Sequence, residues 1–212
     1  TKVKSLPPRN CELIYRAAET GLENRWDLWK RGDGVGIIVI RGTNGTNTSW
    51  LENFYAGMIP AQGVVKLNDS TSVPYKVSED PKAYVHAGWM LAVAAMGPGM
   101  IRKINEYYRQ GIHEYIIFGH SQGGAISFLT RSYFAYTDSL PKDIVFKTYA
   151  SAAPKPGNLY YAYDFDFITR GGWGLRVVNA RDWVPETPFS LQTSADFTGV
   201  SPSSDIKARL KK

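Results

Sequence analysis

One short stretch of the chain carries the residue types needed for nucleophilic chemistry. Residues 119–124 read Gly-His-Ser-Gln-Gly-Gly and fit the pattern G-x-S-x-G. In this pattern the serine lies on a sharp turn from a strand into a helix, and the glycines leave room for that turn. An apolar run at 115–118 leads into the motif, and small residues follow it. We therefore predict that Ser121 is a nucleophile and that the backbone N–H of Gln122 stabilises an oxyanion. The alternative is a glycine-rich turn with an incidental serine.

A carboxylate that could orient a general base follows a later apolar run. Asp182 comes shortly after residues 175–178, which read as a strand. The carboxyl ends of parallel strands meet at one edge of a sheet, where α/β proteins bind ligands. We therefore predict that Asp182 lies at the same edge as Ser121. The alternative is an aspartate in a surface loop.

The three histidines fit the role of general base poorly. His120 is expected to point away from its neighbour's side chain, and His113 precedes the strand and so belongs at its opposite end. His86 is the remaining candidate. The chain order Ser, Asp, His places the base after Asp182, where the sequence has no histidine. We therefore expect these 212 residues to be part of a longer protein, with the C-terminal part of the fold missing.

The elements that must position these residues alternate along the chain. Short apolar runs typical of strands buried on both faces occupy residues 34–40, 115–118, 145–149 and 175–178. Helical patterns cover residues 87–110, 122–136 and 156–168, the first with a kink or break at Pro98. A short helix is predicted after Asn10, and an edge hairpin around residues 68–70. The alternation predicts one α/β domain, 1–212, with a largely parallel sheet.

The composition excludes several classes of protein. The chain is 43% apolar and 21% charged, which is typical of a globular domain and not of a disordered one. No apolar run is long enough for a transmembrane segment. Four of the basic residues behind the net charge of +6 lie in the last six positions, so we do not predict nucleic acid as a partner. A single cysteine, Cys11, cannot form an internal disulfide.

Four motifs in order resemble the class 3 lipase family, the fungal-type triacylglycerol lipases and their bacterial relatives. They occupy residues 39–43, 85–89, 119–124 and 177–185. The resemblance implies an α/β-hydrolase fold, with a mostly parallel central sheet flanked by helices. It also implies that Asp182 is the triad acid and that His86 has a structural role. The resemblance makes the backbone N–H of Thr43 the second oxyanion donor, with the Thr43 hydroxyl as an optional further one. A plain turn at residues 41–43 is the alternative interpretation.

The same resemblance implies a lid after the oxyanion turn. Apolar residues of segment 50–59 fall on one helical face, among them Trp50, Leu51, Phe54 and Tyr55. A lid of this kind would contact a lipid interface transiently. A short core helix is the alternative interpretation, and the sequence does not separate the two.

These observations together predict a serine carboxylic ester hydrolase, a lipase or esterase that cleaves lipid esters through an acyl-enzyme on Ser121. No metal and no organic cofactor is predicted. One alternative is a catalytically silent binding protein of the same fold that lacks the triad histidine. Another is acyl transfer or peptide cleavage on the same nucleophile. A secreted or periplasmic location is expected, although the residues themselves leave the compartment open.

Overall fold

A computed structural model describes residues 8–44, 53 and 57–187. The strands are β1 Cys11–Arg16, β2 Trp26–Arg31, β3 Gly36–Ile40, β4 Met58–Pro60, β5 Gln62–Lys66, β6 Ser72–Lys76, β7 Tyr84–His86, β8 Glu114–His120, β9 Val145–Ser151 and β10 Gly174–Val177. The helices are α1 Ala87–Tyr108, α2 Gln122–Tyr136 and α3 Leu159–Ile168, and a 3-10 turn covers Val184–Glu186.

The central sheet has six strands in the order β1-β2-β3-β8-β9-β10. Strands β3, β8, β9 and β10 run parallel to one another, and β1 and β2 extend the sheet in antiparallel pairing. The predicted hairpin is present as the separate pair β5–β6, and β4 pairs with β7. The mostly parallel sheet with flanking helices confirms the predicted α/β-hydrolase fold.

Burial in the sheet is one-sided among the described residues. On β3 and β8 every second residue is buried, including Ile38 and Ile117, and α2 packs on this face. The residues between them are half-buried or exposed, and Phe118 is 40% exposed. The prediction of strands buried on both faces is therefore not met within the part of the chain that the structure describes.

One local prediction is wrong, and the break allowed for in another is absent. The segment after Asn10 is not a helix but strand β1, because its backbone pairs along its length with β2. Helix α1 is not broken at Pro98 but continues to Tyr108. Gly97 lies so close to the Tyr133 ring of α2 that a Cβ would meet it at 2.7 Å. Helix α1 thus packs closely on α2 at the position before the proline, whose nitrogen cannot donate a backbone hydrogen bond.

The parallel strands bring three loops to one edge of the sheet. Residues 41–44 follow β3, Ser121 follows β8, and the loop with Asp182 follows β10. This edge is the carboxyl edge of the sheet, where the sequence placed the candidate catalytic residues.

Candidate active site

Ser121 lies on the turn that joins β8 to α2. Its backbone has φ 57° and ψ −127°, a conformation that residues with a side chain rarely adopt. The Ser121 N–H donates to the carbonyl of Ser151 at the end of β9 at 2.9 Å, which holds the turn against the sheet. Its hydroxyl does not cap α2 and has no hydrogen-bond partner among the described residues. The Oγ atom is thus free to act as a nucleophile.

The glycines of the motif are required by close packing at this turn. A Cβ on Gly119 would meet the carbonyl of Gly123 and the Oγ atom of Ser127. A Cβ on Gly123 would meet the carbonyl of Ile40 at the end of β3. The turn can therefore lie against the neighbouring strand only because these positions have no side chain.

The second predicted oxyanion donor lies beside the first. A Cβ on Gly42 would come within 2.7 Å of the His120 carbonyl, so the chain after β3 packs directly on the nucleophile turn. The Thr43 hydroxyl donates to Oε1 of Gln122 at 3.3 Å. Gln122 is the first residue of α2, where backbone N–H groups have no helical acceptor. The structure thus brings Thr43 and Gln122, the two predicted oxyanion donors, into contact.

Asp182 lies in a loop fixed at both ends. Its N–H donates to the carbonyl of Asn179, and its Oδ1 atom accepts from the N–H of Val184, at 2.9 and 3.0 Å. Downstream, Lys155 Nζ donates to the carbonyl of Glu186, and the Arg176 guanidinium donates to the carbonyl of Pro185. The carboxylate is half-buried, and within residues 8–44, 53 and 57–187 its Oδ2 atom has no hydrogen-bond partner.

The strand order sets the separation of the nucleophile from the acid. One strand, β9, lies between β8 and β10. Neighbouring strands are about 4.8 Å apart, so the loops after β8 and β10 begin about 10 Å apart. An imidazole hydrogen-bonded to a hydroxyl on one side and a carboxylate on the other has a similar span. The edge of the sheet therefore has room for the base of a triad.

His86 does not supply that base. It is fully buried at the start of α1, where its Nδ1 atom accepts from the N–H of Trp89 at 3.4 Å. The other ring nitrogen, Nε2, is 3.3 Å from the carbonyl of Asn53. Burial lowers the pKa of the imidazole to about 4, a change that its hydrogen bond to Asn53 opposes only in part. With both nitrogens engaged, His86 is a neutral structural residue, as the resemblance implied.

The other two histidines also lie elsewhere. His113 precedes β8 at the opposite edge of the sheet, 3.5 Å from a carboxylate oxygen of Asp143. His120 is exposed, and its Nδ1 atom lies 3.2 Å from the Ser151 hydroxyl. No hydrogen bond among the described residues joins a histidine to Ser121 or Asp182.

The predicted lid residues Trp50, Leu51, Phe54 and Tyr55 lie outside the described residues. Asn53, between them in sequence, is described and bonded to the site. Its Nδ2 atom donates to the Thr43 hydroxyl at 3.0 Å. Sequence reasoning missed this residue, because no motif indicates a contact between these two side chains, which are ten positions apart. The described residues contain no group of three or more potential metal ligands, and none of their helices is both long and apolar enough to span a membrane.

A strained serine between a parallel strand and a helix, with an aspartate two strands away, defines the class of α/β-hydrolase folds with a nucleophile turn. The sequence profile of class 3 lipases matches residues 37–192. The chain belongs to the class 3 lipase family, which confirms the resemblance predicted from the four motifs.

Solved structures show the same fold. Lipase II from Rhizopus niveus matches with a TM-score of 0.62 and 21% identity, covering 85% of this chain and 62% of that chain. A fungal lipase–inhibitor complex, described as a model for interfacial activation, matches at 0.62 and 19%, covering 84% and 61%. A triacylglycerol lipase whose catalytic centre is a serine protease triad matches at 0.58 and 20%, covering 84% and 61%.

The chain thus spans about three fifths of the length of each of these lipases. A search of curated protein sequences gives no significant match.

Proposed function

We propose that this protein is a serine hydrolase that cleaves carboxylic esters of lipids. The observation that carries the proposal is the strained turn at Ser121, at the edge of the sheet that also holds Asp182. The Ser121 hydroxyl has no hydrogen-bond partner within the part of the chain that the structure describes. Membership of the class 3 lipase family supports lipid esters as the substrate class. The neighbour with a serine protease triad is a triacylglycerol lipase, which supports the same class of chemistry.

In the proposed mechanism, Ser121 Oγ attacks the acyl carbonyl carbon and its proton passes to a general base. The backbone N–H groups of Gln122 and Thr43 stabilise the negative oxygen of the tetrahedral intermediate. The base then protonates the alcohol, which leaves, and the acyl group stays on Ser121. Water attacks this ester with the help of the same base, and the acid is released. Asp182 orients the base and stabilises its charged form.

The scheme assigns the base to none of His86, His113 and His120, because the structure gives none of them a hydrogen bond to Ser121 or Asp182. Their placement also favours the second candidate function, a catalytically silent binding protein of the same fold. Experiments should therefore use the complete product of the reading frame that encodes this chain, with the 212-residue chain measured beside it.

The test combines ester turnover with labelling by a fluorophosphonate, which reacts with activated serines. The complete product should hydrolyse soluble and emulsified esters and bind one equivalent of probe. Ser121→Ala should abolish both, and Ser70→Ala, in the exposed turn of the β5–β6 hairpin, should change neither. Probe binding and turnover that survive in Ser121→Ala would place the nucleophile elsewhere. A complete product that is inert in both assays would favour the binding protein.

Contact with a lipid interface through residues 50–59 is a further part of the proposal. It is supported by the family and by the neighbouring lipase complex described in terms of interfacial activation. The secreted or periplasmic location stays a prediction, which fractionation of the source cells tests.

A further inference from the structure

The loop that joins β1 to β2, residues 17–25, reaches the turn that follows β3. This β1–β2 loop is closed by two backbone hydrogen bonds between Thr20 and Asn24, at 2.9 and 2.8 Å. Its Gly21 and Glu23 both have a left-handed backbone, with φ of 60° and 62°. That conformation is uncommon for a residue with a side chain and persists only where the surrounding structure holds it. Glu23 thus keeps a costly conformation at the point where the loop meets the turn after β3.

Glu23 contacts both residues that flank the Gly-Thr pair at positions 42–43. On one side, the Arg41 guanidinium donates to the backbone carbonyl of Glu23 through Nη2. The same guanidinium donates to Oε1 of Glu19 through Nη1 at 2.7 Å. On the other side, Nδ2 of Asn44 donates to Oε2 of Glu23 at 2.7 Å. One residue of the β1–β2 loop thus holds both ends of the segment that carries the second proposed oxyanion donor.

The same segment also packs on the nucleophile turn. A Cβ on Gly42 would come within 2.7 Å of the His120 carbonyl, so the backbone at position 42 lies directly against that turn. With this contact in place and both flanking residues bonded to Glu23, the backbone between them is fixed. Its position sets the direction of the Thr43 N–H relative to the N–H of Gln122, and an oxyanion hole requires both donors to converge on one point.

The β1–β2 loop lies outside residues 37–192, the region in which the chain matches class 3 lipases. None of the four motifs includes Glu23. Its contacts with Arg41 and Asn44 join positions that are 18 and 21 residues apart along the chain. The hold of Glu23 on the turn after β3 is therefore a feature of this chain that its match to the family does not assign.

We propose that Glu23 is a positioning residue: through Arg41 and Asn44 it fixes the backbone of residues 42–43 and so sets the direction of the Thr43 N–H. This inference rests on the proposed function. The bond from Asn44 ends on a carboxylate oxygen, and charge-assisted bonds of this kind are short and strong. Loss of the carboxylate should therefore lower kcat and leave KM almost unchanged, because the position of a donor matters most when the oxyanion forms.

The test measures kcat and KM for a soluble ester, and the rate of fluorophosphonate labelling, in the complete product. Glu23→Gly removes the carboxylate but keeps the carbonyl that Arg41 uses, and glycine adopts a positive φ without strain. The variant should therefore keep a Tm close to that of the wild type, while kcat and the labelling rate fall by about tenfold, less than on loss of a direct oxyanion donor. Glu23→Gln keeps an oxygen that accepts from Asn44, and should stay within about threefold of the wild-type kcat.

Asn10→Gly is the matched control for a change at a left-handed residue. Asn10 has a φ of 58°, and its carbonyl accepts from the N–H of Gly32 at 2.9 Å. It precedes β1 at the opposite edge of the sheet from Ser121, so its replacement should keep the kcat of the wild type.

A double variant tests whether Glu23 acts through Asn44. Asn44→Ala alone should lower kcat about as much as Glu23→Gly, because it removes the other end of the same bond. The double variant Glu23→Gly/Asn44→Ala should then be no more than about threefold slower than the slower single variant. Losses that multiply would show that the two side chains act independently, and would overturn the inference.

The outcomes also distinguish this inference from the proposed function. If Ser121→Ala is inert while Glu23→Gly equals the wild type in kcat and labelling rate, the nucleophile stands and the positioning role is wrong. A rise in KM at unchanged kcat would place Glu23 in substrate binding, and a fall in kcat that matches a loss of folded protein would mark it as structural only; either result overturns the positioning role. A wild type without turnover or labelling overturns the proposed function and, with it, this inference.

Discussion

The buried imidazole of His86 should make the stability of the protein depend on pH. Its pKa is about 4 in the folded chain, against about 6.5 for an exposed histidine. Burial disfavours the charged form, and no ionisable group among the described residues contributes to the change. Between these two values the unfolded chain binds the proton and the folded chain does not. The free energy of unfolding therefore falls as the pH drops from about 6.5 to 4.

The size of this effect follows from the difference in pKa. Each unit corresponds to about 1.4 kcal/mol, so His86 should account for about 3 kcal/mol of stability that is present above pH 6.5 and absent below pH 4. In a chain of about 200 residues this equals a change in Tm of roughly 6–12 °C. Protonation also places a proton on Nδ1, which removes the acceptor for the N–H of Trp89.

Chemical unfolding at a series of pH values, for the wild type and His86→Gln, measures this contribution. The variant should be less stable than the wild type at pH 7, and the gap should shrink by about 3 kcal/mol towards pH 4. NMR titration of the imidazole signals checks the cause directly, with His113→Gln and His120→Gln used to assign the other two. A gap that is the same at pH 7 and pH 4, or a His86 signal that titrates near 6.5, would refute the reasoning.

Further predictions concern the acid, the nucleophile turn and the lid. Asp182→Asn should keep the wild-type Tm but lower kcat of the complete product by about 10⁴-fold, because an amide favours the wrong imidazole tautomer. A loss of kcat below tenfold would exclude Asp182 as the acid. Gly119→Ala should prevent folding as judged by circular dichroism. Gly99→Ala on α1, where the nearest atom to an added Cβ is on the flexible Arg102 side chain at 3.7 Å, should raise stability by up to about 1 kcal/mol. If residues 50–59 form a lid, activity should rise steeply once an ester passes its solubility limit, and Phe54→Ser with Tyr55→Ser should flatten that rise without a change in Tm.

The nucleophile turn could be predicted from sequence because its signal is local. The strand, the glycines around Ser121 and the helix after it are consecutive, and each position has a steric reason for its residue type. Asp182 could be placed because it follows a strand, and parallel strands end at one edge. Both predictions needed only short segments of sequence and the rule that parallel strands end at the same edge of a sheet.

Other parts of the structure depend on contacts that no short segment encodes. Strand β1 is set by its pairing with β2, which overrides a weak helical pattern after Asn10. The side chain of Asn53 contacts Thr43 and Trp89, which are 10 and 36 residues away along the chain. Hydrogen bonds of this kind leave no periodicity in the sequence, so no pattern could have indicated them.

The backbone of Ser121 has a consequence for any attempt to engineer this protein. Its φ of 57° and ψ of −127° cost a residue with a side chain of order 1–3 kcal/mol, and glycine avoids most of that cost. Ser121→Gly should thus be among the more stabilising single substitutions, although it removes the nucleophile. Directed evolution for heat resistance alone would enrich inactive clones at this codon. A library screened for thermostability therefore needs position 121 held constant, or a simultaneous selection for catalysis.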